Sequence, residues 1–263
     1  MKWGLILVGL VLAFGLSVAV FKFNLLLISR VDVKIDQPAC ASAEAIKFAS
    51  NLIGKNLFLV NSQDVEGKLI QKYPCVREIV LHRVFPGKVT IEVSLRKELV
   101  RIAGLTTRGQ LSFSNLEASA STATALLDWS FPKASAEAYL LADKTGFLFG
   151  QADSTGSGVL YLDDPMLKIG QSLGTAFVQK IVPILEKINE LGESSIVGKK
   201  GGDILQIASG QKLVFDLDRD ILHQLASLQL ILQKAKIDQR SVESIDLRFD
   251  KPVVIYSGKN GKR

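Results

Sequence analysis

The run "WGLILVGLVLAFGLSVAVF", from Trp3 to Phe21, holds no charge and no proline, and it limits what the chain can become more than any other stretch. At about 1.5 Å per residue, about 20 helical residues span roughly 30 Å, the thickness of a bilayer's hydrocarbon core. A transmembrane helix is therefore expected over residues 3–23, with residues 1–2 as a minimal cytoplasmic tail. Lys2 and the amino terminus on one side nearly balance Lys22 and Arg30 on the other, so flanking charge alone does not orient the span. Two residues cannot build a domain, so a single-pass protein of the cytoplasmic membrane is expected, with the N-terminus on the cytoplasmic side and the bulk of the chain extracytoplasmic. Ser17-Val18-Ala19 has the small-x-small form of a signal-peptidase site, which makes a cleaved signal peptide the alternative.

The 263 residues suffice for one or two domains with cores of their own. A net charge of +6 is mild, and the 7% aromatic residues do not interleave with basic ones. The charge-plus-stacking pattern of a nucleic-acid surface is missing, so no nucleic-acid partner is expected. Cys40 and Cys75 are the only cysteines. In an oxidising compartment a bridge over a loop of about 35 residues would add about 3–4 kcal/mol; two small buried thiols are the alternative. His82 and His223 lack ligand spacing, and no metal site is expected.

Val31 to Ile35 alternates as a strand. Ser42 is placed to cap a helix with Ile46, Ala49, Leu52 and Ile53 on its apolar face and Gly54 as its stop. Ser62 is placed to cap a second helix bearing Val65, Leu69 and Ile70, closed by Pro74. Then follow "REIVLHRV", the turn Phe85-Pro86-Gly87, and "KVTIEVSL", where Val89, Ile91, Val93 and Leu95 share one face. The order β-α-α-β-β implies two helices laid over a small mixed sheet across residues 29–98. A larger mixed β domain, residues 99–256, is expected to follow, interrupted by a polar loop insertion at 103–138 that contains Trp129 and Phe131. Its signals are a hairpin turning at Asp143 to Gly146, an amphipathic helix near Ala176 to Leu191 that Pro183 disturbs, a hairpin turning at Ser209-Gly210, and a long helix capped by Asp220. Residues 257–263 form a basic tail. The fold class is α+β.

Catalysis finds no support. The sequence lacks H-E-x-x-H and Walker patterns, and "TGSG" at Thr155 to Gly158 opens no dinucleotide-binding helix. Asp163 and Asp164, before Pro165, suit a solvated turn. Neither an enzyme active site nor a cofactor is expected, and no small-molecule substrate.

The stretch "SIDLRFDKPVVIY", Ser244 to Tyr256, alternates as one strand, with Ile245, Leu247 and Phe249 on one face and Asp246, Arg248 and Asp250 on the other. Pro252 cannot donate to a ladder and places the strand at a sheet edge. An open edge is either protected or used.

Taken in order, these motifs resemble one family. Gly54, Asn56, Leu57 and Phe58, then Pro74 and Val76, then Arg83, Phe85 and Pro86, then Ile91 and Val93 look like the POTRA domain of the bacterial cell-division family FtsQ/DivIB. "LLADKTGFLF" and "IDLRFDKPVVI" are similar to that family's β-domain hairpin and closing strand. Leu95-Arg96-Lys97-Glu98 departs from the family's Glu-Arg-x-Pro. The resemblance implies a non-catalytic, membrane-anchored divisome scaffold at the septum. It docks FtsB-like and FtsL-like coiled-coil proteins on its C-terminal edge strand and is linked to septal peptidoglycan synthase components. Carried onto this chain, the partner-binding residues are Arg248, Phe249, Asp250, Val253, Val254, Ile255 and Tyr256. Arg248 would pair bidentately with a partner carboxylate; a surface pair with Asp246 or Asp250 is the alternative. A POTRA-containing secretion or assembly factor of the envelope and a secreted cell-wall enzyme are the rival functions.

Overall fold

The computed structural model describes residues 26–36, 40–104, 139–152, 158–162, 167–191 and 196–257, in two units that divide between Arg96 and Lys97. The expected span at 3–23, Trp129, Phe131, Asp163, Asp164 and the tail from 258 lie outside the described residues. No helix among the described residues is long and apolar enough to cross a membrane.

The first unit runs β1 (Arg30–Ile35), α1 (Ala43–Ser50), α2 (Ser62–Lys72), β2 (Val76–Val84) and β3 (Lys88–Leu95). Its three strands lie in the order β1-β3-β2, with β3 parallel to β1 and antiparallel to β2. The central strand shows why: Val89, Ile91 and Val93 are buried while Thr90 and Glu92 stay partly exposed, so the period-two pattern has one dry face. Ile46, Leu52, Val65 and Leu69 of the helical layer are buried too. Ser42 caps α1, its side chain accepting from Ala45 N. The cap of α2 is Asn61, whose side chain accepts from Gln63 N, and not Ser62, which is the first helical residue. Ile53 also departs from expectation: α1 ends at Ser50 and leaves it exposed. Cys40 and Cys75 are joined, their Cα atoms 6.3 Å apart, within the span a disulfide requires.

Among the described residues, the second unit is a nine-stranded mixed sheet with helices packed on one face. Its strands are β4 (Val100–Gly104), β5 (Tyr139–Ala142), β6 (Leu148–Ala152), β7 (Gly158–Leu162), β8 (Ile196–Gly201), β9 (Ile204–Ser209), β10 (Gln211–Asp216), β11 (Val242–Asp246) and β12 (Val253–Tyr256). They lie in the order β12-β11-β10-β9-β8-β7-β4-β5-β6. Ala103 and Gly104, expected within the loop insertion at 103–138, belong instead to β4, where Ile102 to Gly104 pair with β7; the rest of that stretch, 105–138, lies outside the described residues. The helices are α3 (Val182–Glu190) and α4 (Ile221–Ile237). Ahead of α3 stand a short lead-in, Gly174–Ala176, and a widened turn, Phe177–Ile181, in which Val182 N reaches back to Phe177 O. Pro183 lacks an N–H and its ring crowds the carbonyl four residues back, which accounts for the widening.

Ile184, Leu185, Ile188, Leu225 and Leu228 close over Leu160, Ile207 and Phe215 to form the main core. Alternation along β7 sends Val159 and Tyr161 the other way, where they pack with Ala103 and Tyr139. The expected turns form as read: Asp143 Oδ1 accepts from Thr145 N at 2.8 Å and Phe147 N at 3.1 Å, and Gly210 turns between β9 and β10 with φ of 71°.

Candidate functional site

A sheet with open ends needs both edges accounted for. At one end, the first residue of β6 is covered by the chain itself. Leu148 N donates to Gln171 O at 2.8 Å and Gly170 N donates to Leu148 O at 2.7 Å, so the segment after residue 167 seals the start of that edge. At the other end, β12 has β11 as its single neighbour among the described residues. The two ends are not equivalent.

Residues 244–256 are not one strand, as the alternation suggested, but two. β11 ends at Asp246, the chain bends through Arg248 to Lys251, and β12 returns antiparallel beside β11. The bend has a local cause. The Asp246 carboxylate accepts from Arg248 N at 3.1 Å, from Arg248 Nε at 3.0 Å and from Arg248 Nη2 at 2.6 Å. That carboxylate faces inward, so Arg248 folds back over it. The Arg248 and Asp246 side chains are 11% and 3% exposed, respectively. Arg219, just ahead of the α4 cap Asp220, holds the outer side of the bend by donating to Arg248 O and to the Asp250 carboxylate.

The bidentate geometry expected of Arg248 toward a partner is therefore already made within the chain, to Asp246. This is a buried pair and not the weak surface pair of the alternative. Arg248→Glu would set a second carboxylate against Asp246 with no cation between them. Breaking such a pair costs about 3–5 kcal/mol, so that variant would disturb the bend and not the rim alone.

β12 itself is organised by parity. Val254 packs against the main core, and the Arg240 guanidinium lies 5.4 Å from the Tyr256 ring centroid. Val253 and Ile255 face outward and are exposed, as is Phe249, whose ring lies 5.5 Å from the Arg248 guanidinium. Ser257 N donates to Ser241 O at 2.8 Å. Backbone groups alternate along an extended strand, so Ile255 and Val253 also turn theirs toward β11, while Val254 and Tyr256 point theirs to the open side. Proline at 252 suits this position because it presents no donor to that side. The structure thus brings the expected residues 248–256 together at one edge, though with different roles. Arg219 and Arg240 were not singled out from the sequence; the one signal for Arg219 was its place before a helix cap.

A three-stranded β-α-α-β-β unit joined to a mixed sheet defines the class: an interaction module of POTRA type followed by a β domain. Residues 28–94 match the family model of the POTRA domain, FtsQ-type, and this supports an FtsQ/DivIB-family protein. No curated protein matches the chain. FtsQ-type POTRA domains are protein-interaction modules of division proteins, in a family of non-enzymatic scaffolds, which points to a scaffold role related to cell division.

Proposed function

We propose that this protein is a non-catalytic divisome scaffold, anchored by residues 3–23 in the cytoplasmic membrane with its bulk outside, that captures a partner segment as an added strand on β12. The observation that carries this reading is the outer edge of β12, where Val254 and Tyr256 turn backbone groups away from β11, its single neighbour among the described residues; β6, at the other end, is capped at its first residue, Leu148, by residues 170–171. Strand addition gives affinity through main-chain hydrogen bonds and selectivity through flanking side chains. Here Phe249, Val253 and Ile255 supply an apolar flank. Arg248 and Asp250 hold the bend that presents it. The partners are FtsB-like and FtsL-like coiled-coil division proteins, through which septal peptidoglycan synthase components are reached. An oxidised Cys40–Cys75 pair fits an extracytoplasmic location.

A fluorescent fusion at native expression tests the cellular role. A mid-cell band that appears with constriction is expected, and uniform labelling of the envelope through the cycle would count against it.

A further inference from the structure

One end of the first unit gathers apolar side chains that its own fold leaves uncovered. Phe58, Leu59 and Phe85 are 61%, 82% and 61% exposed, and Ile53 and Val84 are exposed beside them in sequence. They come from two connections, residues 51–61 and the turn between β2 and β3, that meet at a single place. Gly54 N donates to Ile28 O at 2.8 Å, Ile28 N to Lys55 O at 2.9 Å and Leu57 N to Leu26 O at 2.7 Å. From the other side Ser29 N donates to Gly87 O at 2.7 Å. A Cβ added to Gly87 would lie 2.6 Å from the Leu27 carbonyl oxygen. Arg83 fastens the two connections together, Nη2 donating to Val60 O at 2.7 Å and to Ser62 Oγ at 3.2 Å.

Both connections therefore bracket residues 26–29, the first stretch after the long apolar run. Three extended residues cover at most about 10 Å, so Leu26 lies within about that distance of the end of a span at 3–23. The polar layer beyond the hydrocarbon core is about 5–8 Å deep on each side. Phe58 follows directly on Leu57, which is buried and bonded to Leu26. The turn there is set by Asn56, whose Oδ1 accepts from Phe58 N at 3.0 Å. Lys55 and Arg30, both exposed, stand beside these apolar groups. Apolar side chains with adjacent cations are what a headgroup layer containing anionic lipid accommodates.

We propose that this end of the unit is a membrane-seated foot. Phe58, Leu59 and Phe85 enter the headgroup layer of the bilayer that residues 3–23 cross, and Lys55 and Arg30 face anionic headgroups. The foot rests on the reading of residues 3–23 as a span, and it adds a second contact that fixes how the unit stands on the membrane.

The test uses the full chain in lipid nanodiscs of phosphatidylcholine and phosphatidylglycerol, with and without bromine on the upper acyl chains. Phe58→Trp and Phe85→Trp are compared with Arg77→Trp, an exposed site seven residues along β2 from Val84 and so about 23 Å away. Emission from the native tryptophans is subtracted, and Leu59→Trp replaces either probe if its melting curve shows misfolding. The foot predicts blue-shifted emission at 58 and 85, with most of it lost to brominated lipid, and neither effect at 77. If 58 and 85 behave like 77 while the chain co-purifies with the discs, the anchor stands and the foot is refuted. A chain that does not co-purify with discs removes both.

Discussion

Val254→Pro separates the rim of β12 from the ladder that holds the strand in place. Because Ser257 N donates to Ser241 O, Val254 turns its N–H to the open side. Proline there deletes one outward donor and no ladder bond. It fixes φ near about −65°, which an edge strand tolerates, and demands an extended residue before it, which Val253 already is. Some packing of Val254 on the core is lost, so a change in stability of about 1 kcal/mol is expected. A docked strand suffers more. Its carbonyl opposite residue 254 stays buried without a donor, at a cost of about 1–3 kcal/mol, or roughly 5- to 150-fold in Kd. Ile255→Pro is the mirror case, since it removes a donor aimed at β11 and should lower the stability of the unit by about 1–3 kcal/mol. Calorimetric titration of the full chain with an FtsB-like partner, alongside thermal melts, reads both effects. Unchanged affinity in a folded Val254→Pro variant would refute strand addition at this rim. A melt as damaged as that of Ile255→Pro would refute the parity argument.

Three further outcomes follow from the structure. Replacing Cys40 and Cys75 with serine opens a loop of 35 residues and should cost the first unit about 3–4 kcal/mol in urea unfolding; an unchanged midpoint would show that the pair does not constrain the chain. Gln206 is buried on β9, its Nε2 and Oε1 without hydrogen-bond partners, so Gln206→Leu should stabilise by about 1–3 kcal/mol, each kcal/mol raising Tm by about 2–4 °C; a lower Tm contradicts this. Tyr161 has its hydroxyl pKa raised, first by burial and then by the neighbouring Tyr139. A raised value means its contribution is fully present below the unfolded tyrosine pKa of about 10 and is lost as pH rises through the folded value. Tyr161→Phe should therefore flatten the fall in Tm above about pH 10, and an identical alkaline slope in both proteins would contradict the assignment.

What the sequence disclosed follows the range of the forces involved. β3 was legible because every alternate residue meets the same core. The turn at Asp143 to Gly146 was legible because one carboxylate makes it from within four residues. β7 escaped notice: its five residues are all buried, as for a strand flanked by parallel neighbours, and no alternation survives. β8, with Gly198, Lys199, Lys200 and Gly201 in succession, carries hardly any strand pattern and is held by β7 and β9 on either side. The closing stretch misled for the opposite reason. Its alternation is nearly unbroken, yet Asp246 turns inward and Arg219 reaches the bend from 29 and 31 residues away, which no local pattern reveals. That the closing stretch lies at an edge is legible from Pro252; that the start of the opposite edge is capped at Leu148 by residues 170–171 required the fold.

Amide hydrogen exchange at Val254 and Tyr256 tests the central claim most directly. In the protein alone both should exchange fast while Ile255 is protected by β11, and both should slow once an FtsB-like partner is bound. Slow exchange at 254 and 256 without any partner would mean that the rim is already occupied, and docking by strand addition would be contradicted.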